Sequence, residues 1–241
     1  MGKQNESRRD GTNPMLLLVT DTSGKHGSVA LARAGESAKP DEVNVIESVP
    51  LVGGTFSAQL VPQISALLTK HQFHQADIGA FVVVSGPGSF TGLRVGLAAI
   101  KALAEILRKP IVPVSLLEVM ASASGKSGDV LALLDAGRGE VYAGEYEVAG
   151  GAARLIEERL LTREELPAAA QGRGMITPDE SLAANVRQAG LAADQVPYPD
   201  SEGIARLGWH KLRAGETVTP EQLEANYIRR SDAEIFAKPN R

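Results

Sequence analysis

Apolar residues along this chain fall into two rhythms. Leu16 to Val19, Ala80 to Val84, Ile111 to Val114 and Val130 to Leu134 are short apolar runs bounded by turn residues, and they predict strands buried on both faces. Gly27 to Ala32, Val43 to Leu51 and Glu140 to Tyr146 predict three more, the last two from alternating apolar and polar positions. Elsewhere the spacing lengthens to three and four. Leu60, Ile64, Leu67 and Leu68 mark one face of a helix that Ser57 caps and that ends near His71, with Pro62 in its first turn. Leu93 to Lys109 and Leu116 to Ser124 predict two more helices. Glu157 to Leu166, Ser181 to Ala193 and Gly203 to Ala214 predict three others, with 197–200 as a linker.

One motif occurs twice. Leu16 to Asp21, a small turn and a returning strand are echoed by Val130 to Asp135, Gly137-Arg138-Gly139 and the strand from Glu140. The echo predicts a duplicated α/β fold with two lobes. The boundaries are a disordered extension at 1–14, a first lobe at 15–125, a second at 126–232 and a tail at 233–241. In that tail Ile235 and Phe236 are isolated anchors.

Composition narrows the chemistry. The chain has 241 residues, 43% of them hydrophobic but only 4% aromatic, so aliphatic side chains and alanine must build the core. A formal net charge of −4 argues against a surface that clamps nucleic acid by itself. The absence of cysteine excludes disulfides, thiolate nucleophiles and Cys-based zinc sites. No apolar run reaches the length of a membrane span and the first residues lack a signal-peptide core, so the expected compartment is the cytoplasm.

The stretch from Ser85 to Gly96 carries the most information. It joins a buried strand to a helix through Gly86, Gly88, Ser89, Thr91, Gly92 and Arg94. Backbone N–H groups at a helix start have no intrahelical partner, so such a turn can cradle an anion. The same glycines also serve where a helix must pack tightly on a sheet. The spacing matches neither the dinucleotide fingerprint nor a P-loop, because Thr91 stands where the third glycine would fall and no Gly-Lys-Ser/Thr follows. Asp21 and Asp135 end the first strand of each hairpin, where a carboxylate either orients a hydrated metal near phosphates or simply closes a turn. Turn chemistry is favoured at both. His71 and His74 lie near a helix end with no carboxylate to complete a metal site.

This loop closely resembles the signature loop of the TsaB family of tRNA threonylcarbamoyladenosine biosynthesis proteins. Val19 to Ser23, Lys109 to Ser115, Leu134 to Tyr142 and Tyr227-Ile228-Arg229-Arg230 resemble further elements of that family, in order along the chain. Two positions depart from its pattern: Phe56 stands where many members have His, and Ala225 where Pro often precedes the Tyr-Leu-Arg element. The resemblance implies an actin-like (ASKHA) fold of two ribonuclease-H-like lobes. It implies a non-catalytic subunit that supports a TsaD-like paralogue, which adds threonylcarbamoyl to the adenosine beside the anticodon of tRNAs reading A-starting codons. A TsaE-like ATPase joins, and tRNA is met only through the complex.

The catalytic paralogue carries a His-x-x-x-His pair after its equivalent of Pro113-Val114, two imidazoles on one helix face that can hold a metal. Here Leu116 and Met120 occupy those positions, so no metal site and no catalytic residue is expected. ATP or ADP is expected, if anywhere, at a composite site shared with the paralogue. The resemblance further implies that the two N-lobe helices meet the paralogue. Leu60, Ile64, Leu67, Ala98 and Ala102 are the interface candidates, wherever the intrachain core leaves them outside. A homodimer through the same helices is the other use of such a face. The competing readings are an ATP-using small-molecule kinase or ATPase of the same fold, working with Asp21, Asp135 and the glycine loop, and a metallopeptidase, against which the missing His pair counts.

Overall fold

The structure, a computed structural model, describes residues 14–35 and 42–229. The extension proposed at 1–14 and the tail at 233–241 lie, but for Pro14, outside the described residues, as does Arg230. The first unit runs β1 (Met15–Asp21), β2 (His26–Ala34), β3 (Val43–Val52), α1 (Phe56–Lys70), β4 (Ile78–Gly86), α2 (Phe90–Leu107), β5 (Ile111–Ser115) and α3 (Leu116–Ala123). The second runs β6 (Gly128–Gly137), β7 (Glu140–Ala149), β8 (Ala152–Thr162), α4 (Leu166–Ala169), β9 (Gly174–Thr177), α5 (Glu180–Gln188), β10 (Ala193–Gln195) and α6 (Ser201–Arg213).

Each unit forms one five-stranded sheet, in the orders β3-β2-β1-β4-β5 and β10-β9-β6-β7-β8. The pairings correspond strand for strand. β1 is antiparallel to β2 and parallel to β4, as β6 is antiparallel to β7 and parallel to β9. The repeat glimpsed in one hairpin therefore extends to the whole unit of three antiparallel strands followed by helix, strand, helix, strand, helix. Two such ribonuclease-H-like units side by side make the actin-like ATPase fold.

The continuous apolar runs are the central strands, covered on both faces. On β1, Leu17 and Val19 point to one core while Leu16 and Leu18 point to another, beneath α1 and α2. β6 divides likewise: Val130, Ala132 and Leu134 face the first core, Leu131 and Leu133 a third within the second unit. The third helix of each unit crosses over. α3 packs on β6, β7 and β8, and α6 packs on the whole first sheet. The first core consequently draws on both sheets and is shared by the two lobes. α6 approaches so closely that a Cβ on Gly208 would sit 2.3 Å from Val82 Cγ1.

Several local expectations change. Residues 157–162 belong to strand β8, not to a helix, because the Gly150-Gly151 turn folds this segment back on β7 in an antiparallel hairpin. β9 and β10 were absent from the expected elements, and α5 stops at Gln188, where chain to 193 was expected to be helical. α1 begins at Phe56, with Thr55 rather than Ser57 at its N-cap, because the Phe56 ring drops into the core under the helix. Pro62 therefore falls inside the helix rather than in its first turn, on the exposed side.

Candidate inter-lobe cleft

A cleft of about 1220 Å³ separates the lobes on the side where the two hairpin turns face each other. The first lobe lines it with Ser23 to Lys25, Gly53-Gly54 and the start of α2. The second lines it with Leu134 to Ala136, Arg138, Tyr142, Asp179 and Tyr198. Residues 226–229 close one side.

The glycine loop lies on this wall, and its glycines are taken up by packing. A Cβ on Gly88 would stand 2.3 Å from the Ser23 carbonyl oxygen, and one on Gly92 only 2.1 Å from that of Thr22. The turn after β1 thus lies directly against the start of α2, and only a residue without a side chain fits. Ser89 caps α2, its Oγ accepting from Gly92 N–H at 3.3 Å, while its own N–H donates to the Ser23 carbonyl at 2.6 Å. Two donors of the helix start are therefore spent within the chain. Gly86 has φ +142°, and a Cβ there would come 2.7 Å from the Asn226 carbonyl oxygen. Thr91 is exposed at the cleft wall. Arg94 lies over the Phe90 ring, 3.7 Å from its centroid, and donates from Nε to the Tyr227 hydroxyl at 3.1 Å. Phe90 and Tyr227 are themselves stacked at 5.0 Å.

The two strand-end carboxylates meet different fates. Asp21 is 3% exposed, and its Oδ1 accepts from both the Ser23 N–H (2.8 Å) and the Ser23 hydroxyl (2.6 Å). Burial raises its pKa, and the Ser23 hydrogen bonds oppose that rise only in part. Tyr198 of the second lobe lines the same cleft. Burial, with the Asp21 and Asp179 charges, pushes the phenol pKa up. Asp135 is exposed in the cleft. Its Oδ1 accepts from Gly137 N–H at 3.2 Å, and its own N–H donates to Asp179 Oδ2 at 2.9 Å. Each aspartate accepts a hydrogen bond from the backbone N–H two residues on, and Asp135 also lies 3.8 Å from Arg163. Among the described residues no cluster of three metal-binding side chains exists. Leu116 and Met120 are 1% and 2% exposed, packed in the core that the lobes share. A metal does not fit there: the site offers methyl groups and one thioether in a dry interior.

Leu60, Ile64 and Leu67 leave the list of interface candidates. They are 1%, 4% and 2% exposed, because α1 turns this stripe onto its own sheet. Their burial stabilises the chain by about 1.5–3 kcal/mol each. Ala98, Ala102 and Ile106 (75%) are exposed along α2, and Val61 (54%) is exposed on α1.

The C-terminal segment does more than its Tyr-Ile-Arg-Arg motif predicts. Val218 bridges to Ile111, Leu223 enters the core under α1 and α2, and Asn226 donates its N–H to the Ser85 carbonyl at 2.8 Å. Arg229 then crosses to the second lobe, donating to the Ala136 carbonyl at 2.9 Å and to Glu140. Glu158 of β8 completes the tie, accepting from Ser115, Tyr146 and the Asn226 amide. The signal available beforehand was the conjunction of an Asn-Tyr-Ile-Arg run with polar strand residues in β8, two stretches far apart in sequence.

Comparison with known proteins adds the following. The family model described as TsaD, tRNA N6-adenosine threonylcarbamoyltransferase, matches residues 50–184. The Bacillus subtilis tRNA threonylcarbamoyladenosine biosynthesis protein TsaB is 34% identical over 146 residues, 60% of this chain and 59% of that one. The chain therefore spans somewhat over half the length of that relative in the match. The Haemophilus influenzae TsaB is 25% identical over 229 residues, 89% of this chain and 94% of the relative. The solved structure of YeaZ from Pseudomonas aeruginosa superposes with a TM-score of 0.71 at 28% identity, covering 88% of this chain and 99% of that one.

Proposed function

We propose a role that starts from one fact: this chain belongs to the TsaB (YeaZ-like) group of the TsaD-related family. It takes part in the biosynthesis of threonylcarbamoyladenosine in tRNA. Within that pathway it serves as a non-catalytic, cytoplasmic subunit that binds and supports a TsaD-like paralogue, in an assembly joined by a TsaE-like ATPase. The paralogue performs the transfer to the adenosine beside the anticodon. The observation that carries this reading is the fate of the metal positions, where Leu116 and Met120 are sealed in the core common to both lobes.

Docking falls to the outer face of α1 and α2. Ala98 and Ala102 are exposed and small, which lets a helix approach α2 closely, and Ile106 on α2 and Val61 on α1 add exposed apolar side chains. ATP or ADP belongs at a site the paralogue completes. Asp21 is hydrogen-bonded to Ser23, and the neighbouring turn packs against Gly88 and Gly92, so the glycine loop by itself leaves little room for a phosphate. The kinase reading is the weaker for the same reason.

Size-exclusion chromatography of the chain mixed with a paralogue retaining His-x-x-x-His tests the assignment. A stable complex is expected. Ala102→Glu should weaken it by about a hundredfold or more, since a carboxylate would have to be desolvated in a helix contact. Undiminished binding by a folded variant would defeat the docking assignment. Isothermal titration with ATP should show binding to the complex and none to the chain alone.

A further inference from the structure

Exposed residues of α2 fall on one row. Arg94, Ala98, Ala102 and Ile106 are each four apart, and all are exposed. Such a row is an i±4n ridge, the feature that helices interlock when they pack, and from Arg94 to Ile106 it runs about 18 Å. The two alanines let another backbone come near, and Ile106 ends the ridge with an apolar side chain. Arg94 stands at the other end, apart from the residues that line the inter-lobe cleft.

Arg94 is held in place without being neutralised. Its guanidinium lies 3.7 Å from the centre of the Phe90 ring and 5.9 Å from that of Tyr227, and Nε donates to the Tyr227 hydroxyl at 3.1 Å. Stacking on a ring face and one bond through Nε leave the two Nη groups unspent. Among the described residues neither Nη has a hydrogen-bond or ion-pair partner. The helix offers no countercharge, since it carries no acidic residue from Phe90 to Ala104. A cation near a helix N-terminus gains nothing from the dipole either. A long surface side chain loses rotamer freedom when it binds, whereas this one is already ordered. Its open side is the planar fork that takes a carboxylate bidentately.

We propose that Arg94 is the specificity-determining residue of this ridge, and that the docking partner's helix meets it with an Asp or Glu side chain. The proposal rests on the reading of α2 as a docking face and adds the chemistry of the partner. Helix packing at Ala98 and Ala102 excludes water beside Arg94, and a carboxylate pair there is strengthened by the lower local dielectric. A helix with lysine or an apolar residue at that point leaves the guanidinium desolvated and unpaired, which selects against it. Phe90 and Tyr227 act through Arg94 as positioning residues. The signature loop thus contributes to recognition through Phe90 and Arg94, while its glycines serve packing.

Isothermal titration of the full chain into the paralogue, in nucleotide-free buffer, tests this. Arg94→Ala should weaken binding by about tenfold or more, and Arg94→Glu by about a hundredfold or more. Arg94→Lys keeps the charge but loses the fork, and should fall between the parent and Arg94→Ala. One Asp→Lys or Glu→Lys change on the paralogue's surface helices should abolish binding of the parent chain and restore binding of Arg94→Glu. Tyr227→Phe should weaken parent binding by about two- to fivefold yet change nothing further in Arg94→Ala, a coupling that a merely structural role would not produce. Every variant should melt close to the parent, which separates these results from misfolding. Parent-like binding by Arg94→Glu overturns the proposal, as does a set of reversals on the paralogue in which none restores it. A loss seen only when ATP is added assigns Arg94 to a phosphate and also overturns it. A parent chain that fails to bind the paralogue defeats the docking reading and the proposal with it, whereas a complex indifferent to Arg94 defeats the proposal alone.

Discussion

Gly92 shows what the signature loop does at the level of single atoms. Its missing side chain leaves room for the Thr22 carbonyl, and an added Cβ would lie 2.1 Å from that oxygen. Gly92→Ala should therefore cost about 1–3 kcal/mol through displaced backbone, read as a lower urea midpoint with unchanged slope. Thr91→Ala, one residue away but exposed, should shift stability by less than about 0.5 kcal/mol. Asp21 supplies a pH signature. Its folded-state pKa is raised by burial, so at pH values between the unfolded and the folded pKa the folded chain holds a proton that the unfolded chain releases. Stability from this group is full below the unfolded carboxylate range and is lost as pH rises through the higher folded value. Asp21→Asn, which keeps an acceptor for Ser23, should melt higher than the parent at neutral pH, with the gap closing as pH falls toward 4. A gap that widens toward acid would contradict this placement of Asp21. The loop's identity was readable in the residues, but the object its glycines approach was not: Thr22 and Ser23 come from another strand, and nothing local to the loop names them.

Among the elements, legibility followed how much of each pattern was local. β1, β4 and β6 were visible because burial on both faces leaves unbroken apolar runs. Residues 157–162 of β8 read as the start of a helix because charged residues crowd this stretch and its apolar residues do not alternate. The bulge at Ile156 lies just ahead of this stretch, and the Gly150-Gly151 turn is the local signal for the hairpin. β9 and β10 are only four and three residues long, too short for any periodicity to speak. The C-terminal segment owes its place to contacts with both lobes, and Glu158 is where β5, β7, β8 and that segment meet. Glu158→Gln would face three donors with one acceptor oxygen and an amide donor of its own. A loss of about 1–3 kcal/mol is expected in chemical denaturation, together with faster amide exchange at residues 226–229. Unchanged exchange there would show that the segment is held by Leu223 and Tyr227 instead.

For the whole molecule, the exchange of α3 and α6 between the units makes one core out of two repeats. The lobes should not melt separately: calorimetry should give one transition, with van't Hoff and calorimetric enthalpies equal. Residues 226–229 tie the two lobes together along one side of the cleft. The duplication itself was announced by one repeated hairpin, whereas the crossing of the helices depends on packing between segments far apart in the chain. The central claim is that this chain works in tRNA modification by docking and has no chemistry of its own. It is tested most directly by depleting the native gene product and measuring threonylcarbamoyladenosine in tRNA by nucleoside mass spectrometry. Wild-type chain and Asp21→Asn should both restore the modified nucleoside, while the folded double variant Ala98→Glu/Ala102→Glu should not. Restoration by the docking variant, or loss of the nucleoside with folded Asp21→Asn, would contradict the account.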